Sequence, residues 1–207
     1  MIIHTTQQHT HEIIHETHYS KEDKALFGFW AYLMSDCLVF ACLFAVYAVL
    51  HKGTFGGPTS QELFNMPFVL VETIILLTSS FTYGLASLHA HHTSHVRKVL
   101  AWLVVTFLLG CAFVGMEVYE FVTLINEGYG PDRSAFLSAF FVLLGTHGVH
   151  VVVGLVWMVV LFIQVYRKGL SVTNVGKLSL LGIFWHFLDI IWIFIFTIVY
   201  VLGSMNI

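Results

Sequence analysis

The stretch W-H-F-L-D-I-I-W-I-F-I-F-T-I-V-Y, residues 185–200, is among the most apolar in the chain, yet it contains His186 and Asp189 three residues apart. About 20 helical residues cross the ~30 Å hydrocarbon core of a bilayer, and this stretch with its flanks is long enough. Ionisable side chains inside a membrane are costly, and they normally face a bundle interior and pair with one another. The stretch therefore predicts a membrane-spanning helix whose polar side chains meet neighbouring helices.

The composition of the whole chain extends this prediction. Of its 207 residues, 57% are hydrophobic and 10% are charged, whereas about a quarter of a soluble domain is charged. We predict an all-α polytopic membrane protein, with a polar, histidine-rich tail in residues 1–24 and a five-helix transmembrane bundle in residues 25–207. The predicted spans are approximately residues 25–50, 67–89, 98–125, 135–166 and 178–202.

Lysine and arginine are distributed unevenly between the two sides of the predicted bundle. Seven lie in the N-terminal tail and in the second and fourth loops, and only Lys52 and Arg133 lie on the other side. Because translocated loops are poor in positive charge, we predict a cytoplasmic N-terminus and a periplasmic C-terminus. The tail lacks the apolar core of a signal peptide, so we expect the first helix to remain in the mature protein.

The candidate site consists of the ionisable side chains inside the predicted spans. An α-helix rises 1.5 Å per residue, so each position along a span has an expected depth. By this count the aspartates and histidines share a depth at or below the middle of the bilayer. The three glutamates form a second group nearer the outer ends of the helices. The spacings E-x-x-E, H-x-x-H and H-x-x-D place both members of each pair on one helix face. The residues are Asp36, Glu72, Glu117, Glu120, His147, His150, His186 and Asp189.

Spacing alone leaves three interpretations of these residues open. They can fix helix packing through hydrogen bonds between helices, each about 0.6–2 kcal/mol in membranes. The same spacings suit a proton relay or, as in carboxylate bundles with Glu-x-x-His pairs, a di-iron or di-manganese site. The different depths of the glutamates and histidines weaken the metal interpretation. The three cysteines form no C-x-x-C pair and predict neither a disulfide nor a thiolate site.

Small residues in the third and fourth helices predict close contacts between helices, since they let backbones approach. In G-T-H-G-V-H, residues 145–150, glycines alternate with histidines. We therefore expect a neighbouring helix to meet His147 and His150 there. The glycines concerned are Gly110, Gly115, Gly145, Gly148 and Gly154.

Six motifs follow one another along the chain: G-F-W-A-Y-L-M-S-D (28–36), P-F-V-L-V-E-T (67–73), G-M-E-V-Y-E-F (115–121), G-P-D-R-S-A-F-L-S-A-F-F (130–141), G-T-H-G-V-H (145–150) and W-H-F-L-D-I-I-W (185–192). Together and in this order they resemble subunit III of the haem–copper oxidases, from about residue 25 to the end of the chain. The five-helix form, with G-P-D-R-S and a histidine-rich tail, is most similar within that family to the bacterial ubiquinol oxidases of the cytochrome o type.

The resemblance implies a non-catalytic subunit of a proton-pumping terminal oxidase that oxidises ubiquinol and reduces oxygen to water in the aerobic respiratory chain. It implies that subunit I holds the haems and copper, and that this chain has no cofactor, metal or catalytic residue of its own. The implied partners are subunit I directly, subunits II and IV in the complex, and membrane phospholipids, with no nucleic acid. The implied location is the bacterial cell inner membrane, as a multi-pass protein.

Three alternatives to this function remain. One is subunit III of a cytochrome c oxidase, which belongs to the same family. The other two, a free-standing proton or solute transporter and a membrane metalloenzyme, lie outside it.

The resemblance also gives the candidate residues family positions. Asp36 matches a buried acidic position of the family at which glutamate is usual, and five more of the candidate residues also match family positions. We hypothesise that Asp36, His186 and Asp189 form one polar cluster between helices. In the same hypothesis, Glu117 with His147 or His150 joins the third and fourth helices. The other matching positions are Glu117, His147, His150, His186 and Asp189.

Overall fold

The computed structural model of the chain describes residues 2–51, 53–54, 65–92 and 96–203, with side chains from Lys24 onward except that of His92. The described residues form helices, turns and short connections, with no strand among them. The helices are α1 (Ile2–Leu50), α2 (Met66–His92), α3 (Val96–Asn126), α4 (Ala135–Lys168) and α5 (Val172–Ile195), and α5 continues into a π-helical turn, Phe196–Val201.

Each helix contains a segment long and apolar enough to cross a membrane, which confirms the predicted all-α architecture with five spans. A helix satisfies its backbone hydrogen bonds internally, as the bilayer core requires because it offers no water. In the most apolar window of each span, only 22–50% of the residues are buried, so most side chains are directed away from the core. The segments are Lys24–Leu50, Met66–His91, Val96–Asn126, Ala135–Lys168 and Val172–Val201.

The chain divides into two compact units, residues 1–38 and residues 39–207. The first unit is helical, and the helix already begins at Ile2, so the segment predicted as a polar tail has a helical backbone. Within this unit the Ser35 hydroxyl donates to the Tyr32 carbonyl at 2.7 Å. Asp36 belongs to this unit, and its predicted pairing with residues of α5 therefore stays a prediction.

In the second unit, α2 to α5 form a closed four-helix bundle. Helix α2 packs on α3, α3 on α4 and α4 on α5, and α5 returns to pack on α2. The Trp185 ring of α5 lies in the centre, 1% exposed. A Cβ added to Gly110 of α3 would lie 3.0 Å from this ring, and one added to Gly154 of α4 would lie 3.1 Å from it. These two glycines thus make room for the tryptophan between the helices.

The other glycines of α3 and α4 divide between close contact and open space. A Cβ on Gly148 would lie 2.7 Å from the Glu117 carboxyl, so the predicted approach of a neighbouring helix is confirmed there. A Cβ on Gly145 would touch Phe121 at an ordinary 3.9 Å. The prediction is wrong for Gly115, where a Cβ would meet nothing within 4 Å, because this residue lies on an exposed part of α3.

Local sequence signals explain where α3 and α4 end and begin. Gly128 has φ 83° and Gly169 has φ 69°, in the left-handed region that glycine adopts readily at helix C-termini. The amide of Gly169 donates to the Val165 carbonyl at 2.9 Å. Ser134, the last residue of G-P-D-R-S, accepts a hydrogen bond from the Leu137 amide at 3.2 Å and so caps α4.

Candidate functional site

His186 and Asp189 lie one turn apart on α5, with the imidazole Nδ1 3.6 Å from the carboxyl Oδ2. Their environments differ, because the side chain of His186 is 51% exposed and that of Asp189 is 9% exposed. The carboxyl is therefore directed into the bundle while the imidazole lies at its surface. The pair sits at the position that the H-x-x-D spacing predicts.

The interhelical partners of this pair come from α2. The Ser80 hydroxyl donates to Asp189 Oδ2, and the Tyr83 ring meets the His186 ring edge-on at a centroid distance of 6.3 Å. The Tyr83 hydroxyl donates to the Leu178 carbonyl of α5 at 2.7 Å. His147, which shares the predicted depth of this pair, forms no hydrogen bond with it, because depth along a helix does not fix the direction in which a side chain points.

Two tryptophans of α5 extend the polar contact with α2. Trp185 Nε1 donates to Ser79 Oγ at 3.2 Å, and Trp192 Nε1 donates to Thr73 Oγ1 at 3.1 Å. The two rings are seven residues apart, on the same side of α5, and each is 1% exposed. We call this set of contacts, together with Ser80–Asp189 and Tyr83–Leu178, the α2–α5 polar interface.

His147 occupies an aromatic environment. Its ring centroid lies 5.3 Å from that of Trp192, 6.0 Å from that of Phe113 and 6.4 Å from that of Phe40. The side chain is fully buried, and neither ring nitrogen has a hydrogen-bond partner among the described residues. His147 therefore packs as an aromatic ring between α3, α4 and α5.

The structure does not form the hydrogen bond hypothesised between Glu117 and His147. Glu117 lies against the backbone of Gly148, and its Oε1 has no hydrogen-bond partner in the described part of the chain. His150 makes a contact within its own helix, with Nδ1 2.7 Å from the Thr146 carbonyl. Helices α3 and α4 thus meet here by close packing of a carboxyl on a glycine.

The three glutamates come together at the end of the bundle where α2 begins and α3 ends. Glu72 of α2 lies near enough to Glu117 and Glu120 of α3 for their charges to interact. The Tyr200 hydroxyl, from the π-helical turn, donates to Glu120 Oε2 at 3.0 Å. We call Glu72, Glu117, Glu120 and Tyr200 the acidic cluster.

The described residues contain no group of three or more His, Cys, Asp or Glu side chains arranged to hold a metal ion. Cys37, Cys42 and Cys111 are free thiols. Histidines also cluster at the end of α2 and just beyond it, at residues 89, 91, 92 and 95. Of these, His91 contacts the Ser179 hydroxyl at 3.2 Å, and His95 lies outside the described residues. The arrangement that the structure does provide is a set of hydrogen bonds and close contacts between helices.

Sequence reasoning missed the residues that pair with the ionisable groups, because they are neutral. A search for charged side chains passes over the hydroxyls of α2 and the phenol at the end of α5. The available signal was the run T-S-S-F-T-Y, residues 78–83, which is unusually rich in hydroxyl groups for a membrane span. Such groups commonly form hydrogen bonds between helices in membranes.

These features define a class of protein: a polytopic helical membrane protein whose buried polar side chains join its own helices. The family model described as cytochrome c oxidase subunit III matches residues 1–204. The chain therefore belongs to the cytochrome c oxidase subunit III family, which confirms the resemblance seen in its motifs.

Curated relatives cover nearly the whole chain. It is 53% identical over 197 residues to cytochrome bo(3) ubiquinol oxidase subunit 3 of Pseudomonas aeruginosa, which covers 94% of each protein. It is 46% identical over 182 residues to the protein of that name in Buchnera aphidicola, covering 88% of this chain and 93% of the relative. It is 44% identical over 179 residues to a cytochrome c oxidase subunit 3 of a Bacillus species, covering 86% of each.

Proposed function

We propose that the chain is subunit III of a proton-pumping terminal oxidase that oxidises ubiquinol and reduces oxygen to water. The observation that carries this proposal is the 53% identity, across 94% of both chains, to a relative named as a ubiquinol oxidase subunit. In this proposal the haems and copper belong to the catalytic subunit I. The chain then contributes binding surface and stability to the complex, in the bacterial inner membrane, rather than a redox centre.

The contacts inside the second unit support a structural role for its polar residues. Glycine-tryptophan packing around Trp185 joins three helices, and the same indole donates a hydrogen bond to α2. A bundle joined in this way presents its remaining side chains, mainly apolar ones, to lipid and to neighbouring subunits. We propose that subunit I binds directly to this outer surface, with subunits II and IV in the same complex.

An apolar groove supports the proposed binding of phospholipid. It lies between α3 and α4, has a volume of about 200 Å³ and has no polar lining surface. Such a groove suits an acyl chain, since apolar groups inside a bilayer associate by van der Waals packing against a complementary surface. Its lining residues are Leu103, Val104, Phe107, Met158, Val159 and Phe162.

The electron donor distinguishes the proposed function from its main alternative, a cytochrome c oxidase, which the Bacillus relative favours. The test is to purify the complex through a tag on this chain and to measure oxygen consumption with ubiquinol and with reduced cytochrome c. We expect turnover with ubiquinol and little with cytochrome c. The opposite preference would establish the alternative, and the absence of oxidase activity with either donor would contradict both.

The proposed orientation has a cytoplasmic N-terminus and a periplasmic C-terminus, on the basis of the lysine and arginine distribution. A membrane-impermeant reagent applied to intact spheroplasts should label a cysteine placed after residue 207 and leave one placed before residue 1 unlabelled. Labelling of the N-terminal cysteine alone would reverse the proposed topology.

A further inference from the structure

The acidic cluster contains more carboxyl groups than the surrounding structure pairs. Glu72 is 0% exposed, and neither of its carboxyl oxygens has a hydrogen-bond partner among the described residues. Glu117 is 3% exposed, and its Oε1 likewise has none. Glu120 is the exception, since it accepts the hydrogen bond from Tyr200. Three carboxyl oxygens of Glu72 and Glu117 are thus buried without a donor in the described part of the chain.

The parts of the surrounding helices that lie near these groups contain no lysine or arginine. Arg133, between α3 and α4, is exposed, and Lys52 lies outside the described residues. The sequence contains no Lys or Arg in residues 66–96, 99–132, 134–166 or 178–207. Helix α4 contributes the backbone of Gly148 to the contact. Its neighbouring imidazole, His147, packs on Trp192 and Phe113, and His150 contacts the Thr146 carbonyl of its own helix.

Three interacting carboxyls cannot all be charged in such a place. An ionised carboxylate without a partner is very costly in an apolar environment, far more so than a neutral polar group. Within a membrane this cost applies to every ionisable side chain. Neighbouring carboxylates also repel one another, and carboxyls that lie close together therefore share protons. Glu72 interacts with both other glutamates, and Glu117 interacts with Glu120.

The π-helical turn gives one member of the cluster a different environment. The Leu202 amide donates to the Thr197 carbonyl five residues back at 2.9 Å, and the wider turn directs Tyr200 inward, where it is 0% exposed. Its hydroxyl reaches Glu120, which is itself partly exposed. Short π-helical insertions occur frequently at functional sites. The described residues thus supply a hydrogen-bond donor to Glu120 and none to the Glu72 carboxyl.

We propose that the acidic cluster is a proton-binding site in which Glu72 and Glu117 hold protons and Glu120 exchanges its proton with water at the adjacent end of the bundle. In the exchange, the O–H bond of the Glu120 carboxyl breaks and the proton passes to water, which leaves a carboxylate that Tyr200 stabilises. The inference concerns this chain alone and does not depend on which donor the oxidase uses.

Infrared spectroscopy of the full-length chain tests the proposal, because protonated carboxyls have a carbonyl stretch separate from the bands of carboxylates. Near neutral pH the chain should show this stretch, and its frequency should shift in D₂O. Glu72→Gln and Glu117→Gln should each remove part of the band. Glu127→Gln is the matched control, since Glu127 is exposed beyond the end of α3 and its change should leave the band unaltered.

Tyr200→Phe provides a second test that keeps all three carboxyls. Without the hydroxyl, Glu120 loses the donor that stabilises its ionised form, so the carbonyl band should grow. The proposal is overturned if Glu72→Gln and Glu117→Gln reduce only carboxylate bands, or if Tyr200→Phe leaves the carbonyl band unchanged. It is also overturned if a stoichiometric metal ion accompanies the cluster and its removal by a chelator creates the carbonyl band.

Discussion

At the scale of the residue, the space beside each glycine decides the consequence of adding one methyl group. Gly110→Ala would place a Cβ 2.8 Å from Leu155 and 3.0 Å from the Trp185 ring. The leucine can rotate, but the indole is held by its bond to Ser79. Overpacking of this kind costs about 1–3 kcal/mol. We expect Gly110→Ala to lower the free energy of SDS-induced unfolding by about 1–3 kcal/mol.

Gly115→Ala is the control on the same helix, because its added Cβ would meet nothing within 4 Å. Alanine also favours the helix over glycine by roughly 1 kcal/mol. The control should therefore unfold at an equal or higher SDS fraction than the parent chain. Equal destabilisation by both substitutions would show that the packing around Trp185 does not distinguish them.

A second prediction at this scale concerns the half-exposed imidazole of His186. His186→Leu removes a polar group that borders Asp189 and faces outward, while the Ser80–Asp189 contact remains. We expect it to weaken association with the other subunits more than it slows turnover of the complex that still assembles. Subunit recovery after affinity purification and the turnover per haem measure the two effects. Normal recovery with lost turnover would instead support a proton relay.

Ile190→Leu is the control for His186→Leu, since Ile190 is an exposed apolar residue on the same helix. This volume-conserving change should affect neither recovery nor turnover. If both variants reduced recovery equally, the effect would belong to the general shape of the surface rather than to the imidazole.

Sequence reasoning at this scale found the ionisable residues but not their partners. Ionisable residues are rare in membrane-spanning segments, so all eight candidate residues could be identified from the sequence. Their contacts depend on helix rotation, which spacing within a single helix does not give. Asp189 therefore meets the neutral hydroxyl of Ser80, and His147 packs among aromatic rings.

At the scale of the element, the α2–α5 polar interface joins two helices that are far apart in sequence. Trp192→Phe removes the indole donor, and Thr73→Val removes the hydroxyl acceptor while keeping the shape of the side chain. Because hydrogen bonds between membrane helices contribute about 0.6–1.7 kcal/mol, the double variant should be less destabilised than the sum of the single variants by that amount. A double-mutant cycle with SDS-induced unfolding measures this coupling.

Thr78→Val provides the control pair for that cycle. Thr78 lies on the same helix, is exposed, and donates to the Ile74 carbonyl of its own helix at 2.7 Å. Its effect should add to that of Trp192→Phe without coupling. Additive effects in both pairs would mean that the Trp192–Thr73 hydrogen bond does not stabilise the interface.

The elements themselves were largely predictable, for a physical reason. Apolar length determines which segments can span a bilayer, so the ends of the predicted spans and of the helices agree to within a few residues except at the starts of α1, which begins at Ile2, and α5. The fifth begins earlier than predicted, at Val172, since Ser171 caps it by accepting from the Asn174 amide at 3.3 Å. The π-helical turn at Phe196–Val201 was not predicted from the sequence.

At the scale of the whole molecule, the family and the architecture agree. Motifs spread across the sequence indicated the family, and a family match over residues 1–204 confirms it. The interfaces with other subunits could not be predicted in the same way. They depend on the outer faces of the helices, where an apolar side chain suits lipid and protein equally.

We propose that this chain joins a haem-containing oxidase in which the partner subunits hold the redox centres. The most direct measurement is a reduced-minus-oxidised spectrum and metal analysis of the complex purified through a tag on this chain, repeated after the chain has been separated from its partners. We predict haem bands, iron and copper in the intact complex, all of which remain with the partner fraction. A haem band or stoichiometric iron, copper or manganese in the separated chain would contradict the claim.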